Sequence, residues 1–166
     1  MTTVQRGTLV GSVYAEDGAG TVRVEDVFDT HVDDLWDAIT DPDSLARWVV
    51  TVGRDLGPGG SFTAAFTSGW EGTGRVDVCD APHRLLLTMD PGSTDQTQIE
   101  AWLTPDGDRT RLVVEERGLP LDRAPDHGAG WQAHLEDLRA YLEGRATSGW
   151  HDRWQELRPD YRGVAP

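Results

Sequence analysis

The sequence has a single cysteine, Cys79, and neither lysine nor asparagine among its 166 residues. One thiol excludes an intramolecular disulfide and a zinc site built from several thiolates, so we interpret Cys79 as a small strand residue. Long apolar runs are also absent, and without a run of about 18 apolar residues the sequence predicts no membrane-spanning helix. The N-terminus has no continuous apolar segment of the kind found in secretion signals. A cytoplasmic location is the simplest expectation.

Positive charge is scarce as well. Fifteen arginines stand against 29 acidic residues, which gives a formal net charge of -14. Such a surface repels a phosphate backbone, so we expect no nucleic-acid partner. The five histidines show no His-Glu-x-x-His pattern, and no Gly-x-Ser-x-Gly elbow is present. The sequence therefore indicates no metal site, no cofactor and no hydrolase triad.

The clearest pattern that is present is helical and lies near the C-terminal end. It predicts a helix over Gly130–Arg145 with one broad apolar stripe, and places Gln132 on the opposite, polar side. His134 flanks the stripe. The stripe consists of four residues at the spacing i, i+4, i+7 and i+11, namely Trp131, Leu135, Leu138 and Leu142. Such a helix needs a sheet or another helix to cover its apolar face.

The preceding chain alternates apolar and polar residues in short segments, which predicts that sheet. Two short helices are expected after the first strand, one starting near Thr30 and one with Asp41 as N-cap and Pro42 in its first turn. Gly57-Pro58-Gly59-Gly60 is interpreted as a tight turn, and Asp106-Gly107 as a hairpin turn. Strands are predicted over 21–28, 61–67, 68–78, 84–89, 96–104 and 110–116.

The last twenty residues repeat the helical spacing with aromatic side chains. Trp150, Trp154 and Leu157 follow it, whereas Pro159 is expected to end the helix before Tyr161. We expect this tail to pack on the body of the domain. A homodimer contact through its tryptophans is the alternative.

At family level, several segments resemble the SRPBCC (START/birch-pollen-allergen-like) superfamily, and within it the branch of the activator of the heat-shock-protein-90 ATPase. The resemblance covers roughly residues 20 to 145. The segments that carry it are Val22-Arg23-Val24-Glu25-Asp26-Val27-Phe28, Asp34-Leu35-Trp36-Asp37-Ala38-Ile39-Thr40-Asp41-Pro42, Leu45-Ala46-Arg47-Trp48, Gly59-Gly60-Ser61-Phe62, and Gly130-Trp131 with Leu135, Leu138 and Tyr141-Leu142.

The resemblance implies an α+β helix-grip fold, in which a curved antiparallel β-sheet wraps around a long C-terminal α-helix, with two short helices after strand 1. This domain would span 21–146, preceded by an arm or lead-in strand over 1–20 and followed by the tail over 147–166. Members of the superfamily enclose an apolar cavity between sheet and helix. They bind lipids, sterols, polyketides or hormones, a few catalyse cyclisation or dehydration, and the chaperone-linked branch contacts a chaperone.

From the resemblance and the abundance of tryptophan we expect the chain to bind a small hydrophobic ligand, and we favour binding over turnover without excluding an enzyme. The residues predicted to line the cavity are Trp48, Phe62, Phe66, Trp70, Leu87, Trp102, Trp131 and His134.

Two alternatives remain open. One is a polyketide cyclase/dehydratase-like enzyme that uses His134 or a cavity acid. The other is a chaperone-associated or homodimeric interaction protein. Strand parity alone does not decide which acid points inward, because a bulge reverses it. The candidate acids are Glu71, Glu100, and Glu115 or Glu116.

Overall fold

The computed structural model describes residues 9–53, 60–147 and 149–164. Within these ranges no helix is long and apolar enough to cross a membrane. The strands are β1 Gly11–Glu16, β2 Ala19–Phe28, β3 Val50–Val52, β4 Ser61–Phe66, β5 Glu71–Asp80, β6 Arg84–Met89, β7 Thr97–Asp106 and β8 Arg109–Leu119. The helices are α1 Val32–Thr40, α2 Pro42–Trp48, α3 Ala124–Leu142 and α4 Trp150–Val164.

All eight strands form one antiparallel sheet in the order β1-β2-β8-β7-β6-β5-β4-β3. From β3 to β8 the chain is a meander, whereas α1 and α2 carry it from β2 across to the far edge at β3. Helix α3 follows the last strand and buries one side against the sheet. The predicted α+β helix-grip fold, with a curved sheet around a long helix, is confirmed.

Two local predictions hold in atomic detail. Asp41 caps α2 by accepting the backbone N–H of Ser44 at 3.0 Å, with Pro42 in the first turn. Gly107 adopts a φ of 62° in the turn that joins β7 to β8, a conformation that glycine adopts without a steric penalty. Helix α1, by contrast, has His31 as its N-cap without a side-chain bond, so the expected cap at Thr30 is wrong.

Helix α3 begins at Ala124, six residues before the predicted start, and ends at Leu142. Pro125 lies in its first turn, where the missing N–H has no helical partner to lose. A Cβ atom at Gly128 would lie 2.6 Å from the ring of Tyr161, so this glycine allows α4 to approach closely. Gln132 was predicted on the exposed side but is buried, and its Oε1 accepts from the Tyr161 hydroxyl at 2.7 Å.

Helix α4 packs along α3 and continues through Pro159 to Val164. The expectation that Pro159 ends the helix is therefore wrong. Leu157 and Tyr161 are buried against the rest of the chain, and their burial offsets a penalty of about 3 kcal/mol for an interior proline.

Near the N-terminus, β1 pairs with β2 as a lead-in strand. The turn expected over Gly57-Pro58-Gly59 lies outside the described residues.

Candidate functional site

A cleft of about 940 Å³ separates the β6–β7 loop and the end of β8 from helices α3 and α4. We call it the outer cleft. Its mouth is formed by the exposed residues Thr94, Asp95 and Arg123. Its wall mixes polar and apolar side chains and includes six rings, contributed by Phe66, Trp70, Trp131, His134, Trp150 and Trp154.

A second cavity, of about 80 Å³, lies deeper between the sheet and α3, and we call it the inner chamber. Every side chain that lines it is apolar. Four residues line both cavities, which places them at the junction: Phe66, Met89, Ile99 and Trp131. The inner chamber has room for a small group only, so most of a drug-sized molecule would have to lie in the outer cleft.

Seven of the eight predicted lining residues border one of these cavities. Trp48, Phe62 and Leu87 line the inner chamber, because each occupies the inward-facing side of its element. Trp70 and His134 line the outer cleft. The remaining two, Phe66 and Trp131, stand at the junction.

Trp102 borders neither cavity, and its predicted place in the lining is wrong. On β7 the residues on either side of it, Ala101 and Leu103, are buried in the core. Successive side chains of a strand point to opposite faces, so Trp102 faces away from the cavities. Its cross-strand neighbours are Arg84 and Val113.

The polar centre of the outer cleft is the carboxylate of Glu116, on β8. Its Oε1 accepts from His127 Nδ1 at 2.9 Å and from Trp131 Nε1 at 3.0 Å, while Oε2 accepts from the Thr97 hydroxyl at 3.0 Å. Burial alone would raise the pKa of Glu116, but these bonds and the charge of His127 hold that pKa below its usual value. A buried, charged carboxylate therefore lies beside the aromatic rings of the cleft.

His127 is the charge partner of Glu116. Burial alone would lower the pKa of His127, but the hydrogen bond to Glu116 and its negative charge outweigh burial and raise it. The imidazole is accordingly protonated over a wider pH range than a free histidine. Its side chain is 39% exposed and lines the outer cleft.

His134 behaves in the opposite way. It is buried among the rings of Phe66, Trp131 and Trp150, with centroid distances of 5.2 to 6.0 Å. Burial lowers its pKa to about 3, only partly opposed by the charge of Glu116, so the ring is neutral at physiological pH. Its Nδ1 is buried without a hydrogen-bond partner among the described residues.

Helix α4 supplies one wall of the outer cleft and is tied to α3 by polar contacts. The indole N–H groups of Trp150 and Trp154 donate to the backbone carbonyls of Gly130 and Asp126, at 3.1 and 2.9 Å. The Asp126 carboxylate binds the guanidinium groups of two α4 residues, Arg158 and Arg162, at 3.1 to 3.3 Å. The aromatic wall is therefore held at several points.

The other candidate acids lie outside the cavities. Glu100 binds Arg84 and Arg117, and Glu115 binds Arg23, on the face of the sheet turned away from α3. Glu71 is exposed. Of the acids left open by the sequence, Glu116 is thus the one that points inward.

His127 and Thr97 were not identified from the sequence as site residues. A usable signal exists for Glu116, because Leu112, Val114 and Glu116 share one face of β8 and the first two are core residues. No comparable signal exists for His127, because its role depends on α3 starting at Ala124 rather than at Gly130.

Comparison with known families gives one match. The model of the family described as Activator of Hsp90 ATPase homolog 1-like protein matches residues 29–143. This agrees with the resemblance drawn from the sequence. The matched residues include both cavities' sheet walls and α3, but α4 lies outside them. The comparison with curated proteins gives no match.

Several solved structures share the fold. CalU16 from Micromonospora echinospora is 23% identical, with 93% of this chain and 95% of CalU16 covered at a TM-score of 0.75. DynU16, a protein in the dynemicin biosynthetic locus, is 29% identical, with 80% of this chain but 50% of DynU16 covered at a TM-score of 0.71. EF2215 from Enterococcus faecalis is 17% identical, with 94% of this chain and 92% of EF2215 covered at a TM-score of 0.73.

Proposed function

We propose that the chain, which belongs to the Activator of Hsp90 ATPase homolog 1-like family of the SRPBCC superfamily, binds a small hydrophobic molecule. The body of the molecule lies in the outer cleft, and an apolar end enters the inner chamber. The cytoplasmic location expected from the sequence stays a prediction.

The observation that carries this proposal is the pairing of the two cavities. An entirely apolar chamber adjoins a cleft of about 940 Å³ that has exposed residues at its mouth. Sites for small organic molecules are concave, mostly apolar and about 300–1,000 Å³ in volume, with a few polar groups that fix orientation. Glu116 and His127 are groups of that kind, and the surrounding indole rings offer flat apolar surfaces.

One solved structure adds chemical context. DynU16 is described as a protein in the dynemicin biosynthetic locus, so a chain of similar fold occurs beside the synthesis of a small organic molecule. Half of DynU16 lies outside the similarity, and no role of that protein is transferred. The context supports a small-molecule ligand without naming one.

The test is a fluorescence titration with N-phenyl-1-naphthylamine, an uncharged probe that brightens in apolar sites. Wild-type protein is expected to bind it saturably. Trp131→Ala removes the ring at the junction of the cavities and should weaken binding about tenfold or more, the scale of a lost aromatic contact.

Trp102→Ala is the matched control, because it makes the same change on the opposite face of the sheet. It should leave the affinity within about twofold, since a residue that does not touch the probe contributes little to its binding. Equal losses in both variants, or a wild-type protein that does not bind the probe, would contradict the proposal.

A second candidate function is a cyclase or dehydratase-like reaction, and the Glu116–His127 pair favours it. A carboxylate bound to Nδ1 of an imidazole orients the ring and leaves Nε2 to exchange a proton with a bound molecule. The wild-type protein would then convert a molecule that copurifies with it. Glu116→Gln should still bind that molecule but react more slowly, with the pH dependence of the rate shifted to lower pH, because Glu116 is the group that raises the pKa of His127.

The interaction-protein alternative has less support. Trp150 and Trp154, the residues suggested for a homodimer, donate their indole N–H groups within their own chain. A homodimer or a chaperone partner stays a prediction, and sedimentation of the purified chain tests the homodimer.

A further inference from the structure

The charged residues of the outer cleft are not equally available to a ligand. The Asp126 carboxylate already binds two guanidinium groups, and Glu116 already accepts bonds from three donors. Neither carboxylate therefore needs a further partner. His127 differs, because among the residues that the structure describes only its Nδ1 has a hydrogen-bond partner.

The contacts of His127 occupy one ring nitrogen and leave the other without a partner among the described residues. Nδ1 donates to Glu116 Oε1 at 2.9 Å, which fixes the plane of the ring. Nε2 makes no hydrogen bond to any other described residue, and the partly exposed ring lines the outer cleft. In the imidazolium form both nitrogens donate. Nε2–H is then a charged donor that has no acceptor within the described part of the chain.

We propose that Nε2–H of His127 anchors an anionic oxygen of the ligand, such as a carboxylate, sulfonate or phenolate, whose apolar body occupies the two cavities. This inference rests on the proposed function and narrows it to a class of ligand. Charge-assisted hydrogen bonds of this type are about twice as strong as neutral ones, and the apolar surroundings strengthen them further.

The carboxylates that line the outer cleft are largely paired already. Glu116 is paired with His127 through Nδ1, and Asp126 is paired with Arg158 and Arg162 of α4. The remaining charged residues of the lining are Asp95 and Arg123, which carry opposite charges.

The whole molecule has a formal net charge of -14. An anion is repelled by the protein at long range, so tight anion binding requires a specific cation in the site. The pKa of His127 lies above its ordinary value because of Glu116. Anion binding should therefore persist at neutral pH and weaken as the pH rises through that pKa.

Two fluorescent probes of nearly the same shape test the inference on the full chain. 8-Anilino-1-naphthalenesulfonate carries a sulfonate, whereas N-phenyl-1-naphthylamine lacks it. At constant ionic strength, raising the pH from about 6 to about 8.5 should weaken binding of the sulfonate several-fold and leave the neutral probe unchanged.

Substitutions at His127 separate charge from shape. His127→Gln should weaken sulfonate binding about tenfold, the scale of one lost charge-assisted bond, and should weaken binding of the neutral probe much less. His127→Lys keeps a positive charge, so sulfonate binding should be retained and its dependence on pH should disappear. His83→Gln, at a histidine outside both cavities, is the control and should behave as wild type.

The outcomes distinguish this inference from the proposed function. The anchor is overturned if the neutral probe binds to the wild-type protein but the sulfonate does not. It is also overturned if the sulfonate binds to His127→Gln as tightly as to the wild type. In both cases the proposal of hydrophobic binding stands. If neither probe binds to the wild-type protein, both proposals fail. If His127→Gln does not fold, the pH dependence of sulfonate binding is compared between the wild type and His127→Lys. An affinity that changes equally with pH in both proteins would contradict the anchor.

Discussion

The inner chamber and the outer cleft differ in where their walls come from. The chamber is enclosed by the sheet and by α1, α2 and α3, and all of its lining residues lie within the range matched by the family, 29–143. The cleft takes its polar centre from that range but one aromatic wall from α4, which lies outside it. The range matched by the family thus provides the apolar chamber, and α4 contributes an aromatic wall to the outer cleft.

The largest expected effect concerns the attachment of α4. Leu157 is 2% exposed and faces the body of the domain. Leu157→Ala should lower the free energy of unfolding by about 2–5 kcal/mol, because it removes buried methyl groups and leaves a cavity. Urea denaturation measures this loss.

Gln155→Ala, at an exposed position on the same helix, is the control and should change stability by less than about 0.5 kcal/mol. If Leu157→Ala lowered the free energy of unfolding by less than about 0.5 kcal/mol, α4 would not be firmly packed on the domain. The outer cleft would then lack a fixed wall from α4, and the difference between the two cavities described above would be wrong.

The next effect concerns the two histidines of the cleft. His134 has a pKa of about 3 in the folded protein and about 6.5 when unfolded. Below pH 6.5 the unfolded chain takes up a proton that the folded protein does not, so stability falls as the pH falls towards 3. Between about pH 6.5 and 4.5 His134 alone should account for about 2–3 kcal/mol.

His134→Met removes this titration at similar volume, and its unfolding free energy should fall less steeply over the same pH range than that of the wild type. His127 has the opposite sign, because its pKa is raised in the folded protein. The stability it contributes is fully present below pH 6.5 and is lost as the pH rises through the folded pKa. Parallel pH profiles for wild type and His134→Met would show that His134 is not buried in neutral form.

A smaller effect is expected where α3 and α4 approach most closely. Gly128→Ala places a Cβ 2.6 Å from the Tyr161 ring and should cost about 1–3 kcal/mol through overpacking. Gly163→Ala, in a helix with nothing within 4 Å of its Cβ, should be neutral or stabilise by up to about 1 kcal/mol. Thermal denaturation of both variants measures the difference, and stabilisation by Gly128→Ala would contradict the packing described.

The apolar part of this architecture was predictable because it rests on periodicity. Alternation on β4 and β6 places Phe62, Phe66 and Leu87 inward, and the helical stripe does the same for Trp131. Trp102 was chosen for the lining because it is a tryptophan, although its position argues against it. On β7 it alternates with the inward residues Ala101 and Leu103, so its side chain lies on the opposite face of the sheet from the cavities.

The polar part was less predictable because it depends on contacts distant in sequence. For Glu116 the sequence carries a signal, its alternation with Leu112 and Val114, but the register of β8 against β2 and β7 is needed to show that no bulge reverses it. Gln132 looked like a surface residue, although the Tyr161 hydroxyl, 29 positions later, satisfies its amide. The path of α4 beyond Pro159 depends on the same tertiary contacts, which override the local preference of proline.

The most direct test of the central claim uses the seven tryptophans, each of which gives one indole N–H signal in a proton–nitrogen NMR spectrum. N-phenyl-1-naphthylamine is added to the full chain and the shifts are followed after assignment by single substitutions. We predict that the signals of Trp131 and Trp70, which line the cavities, move most, and that the signal of Trp102, on the opposite face of the sheet, stays in place. A Trp102 signal that moves as far as that of Trp131, or a spectrum that does not change, would contradict the claim that these two cavities form the binding site.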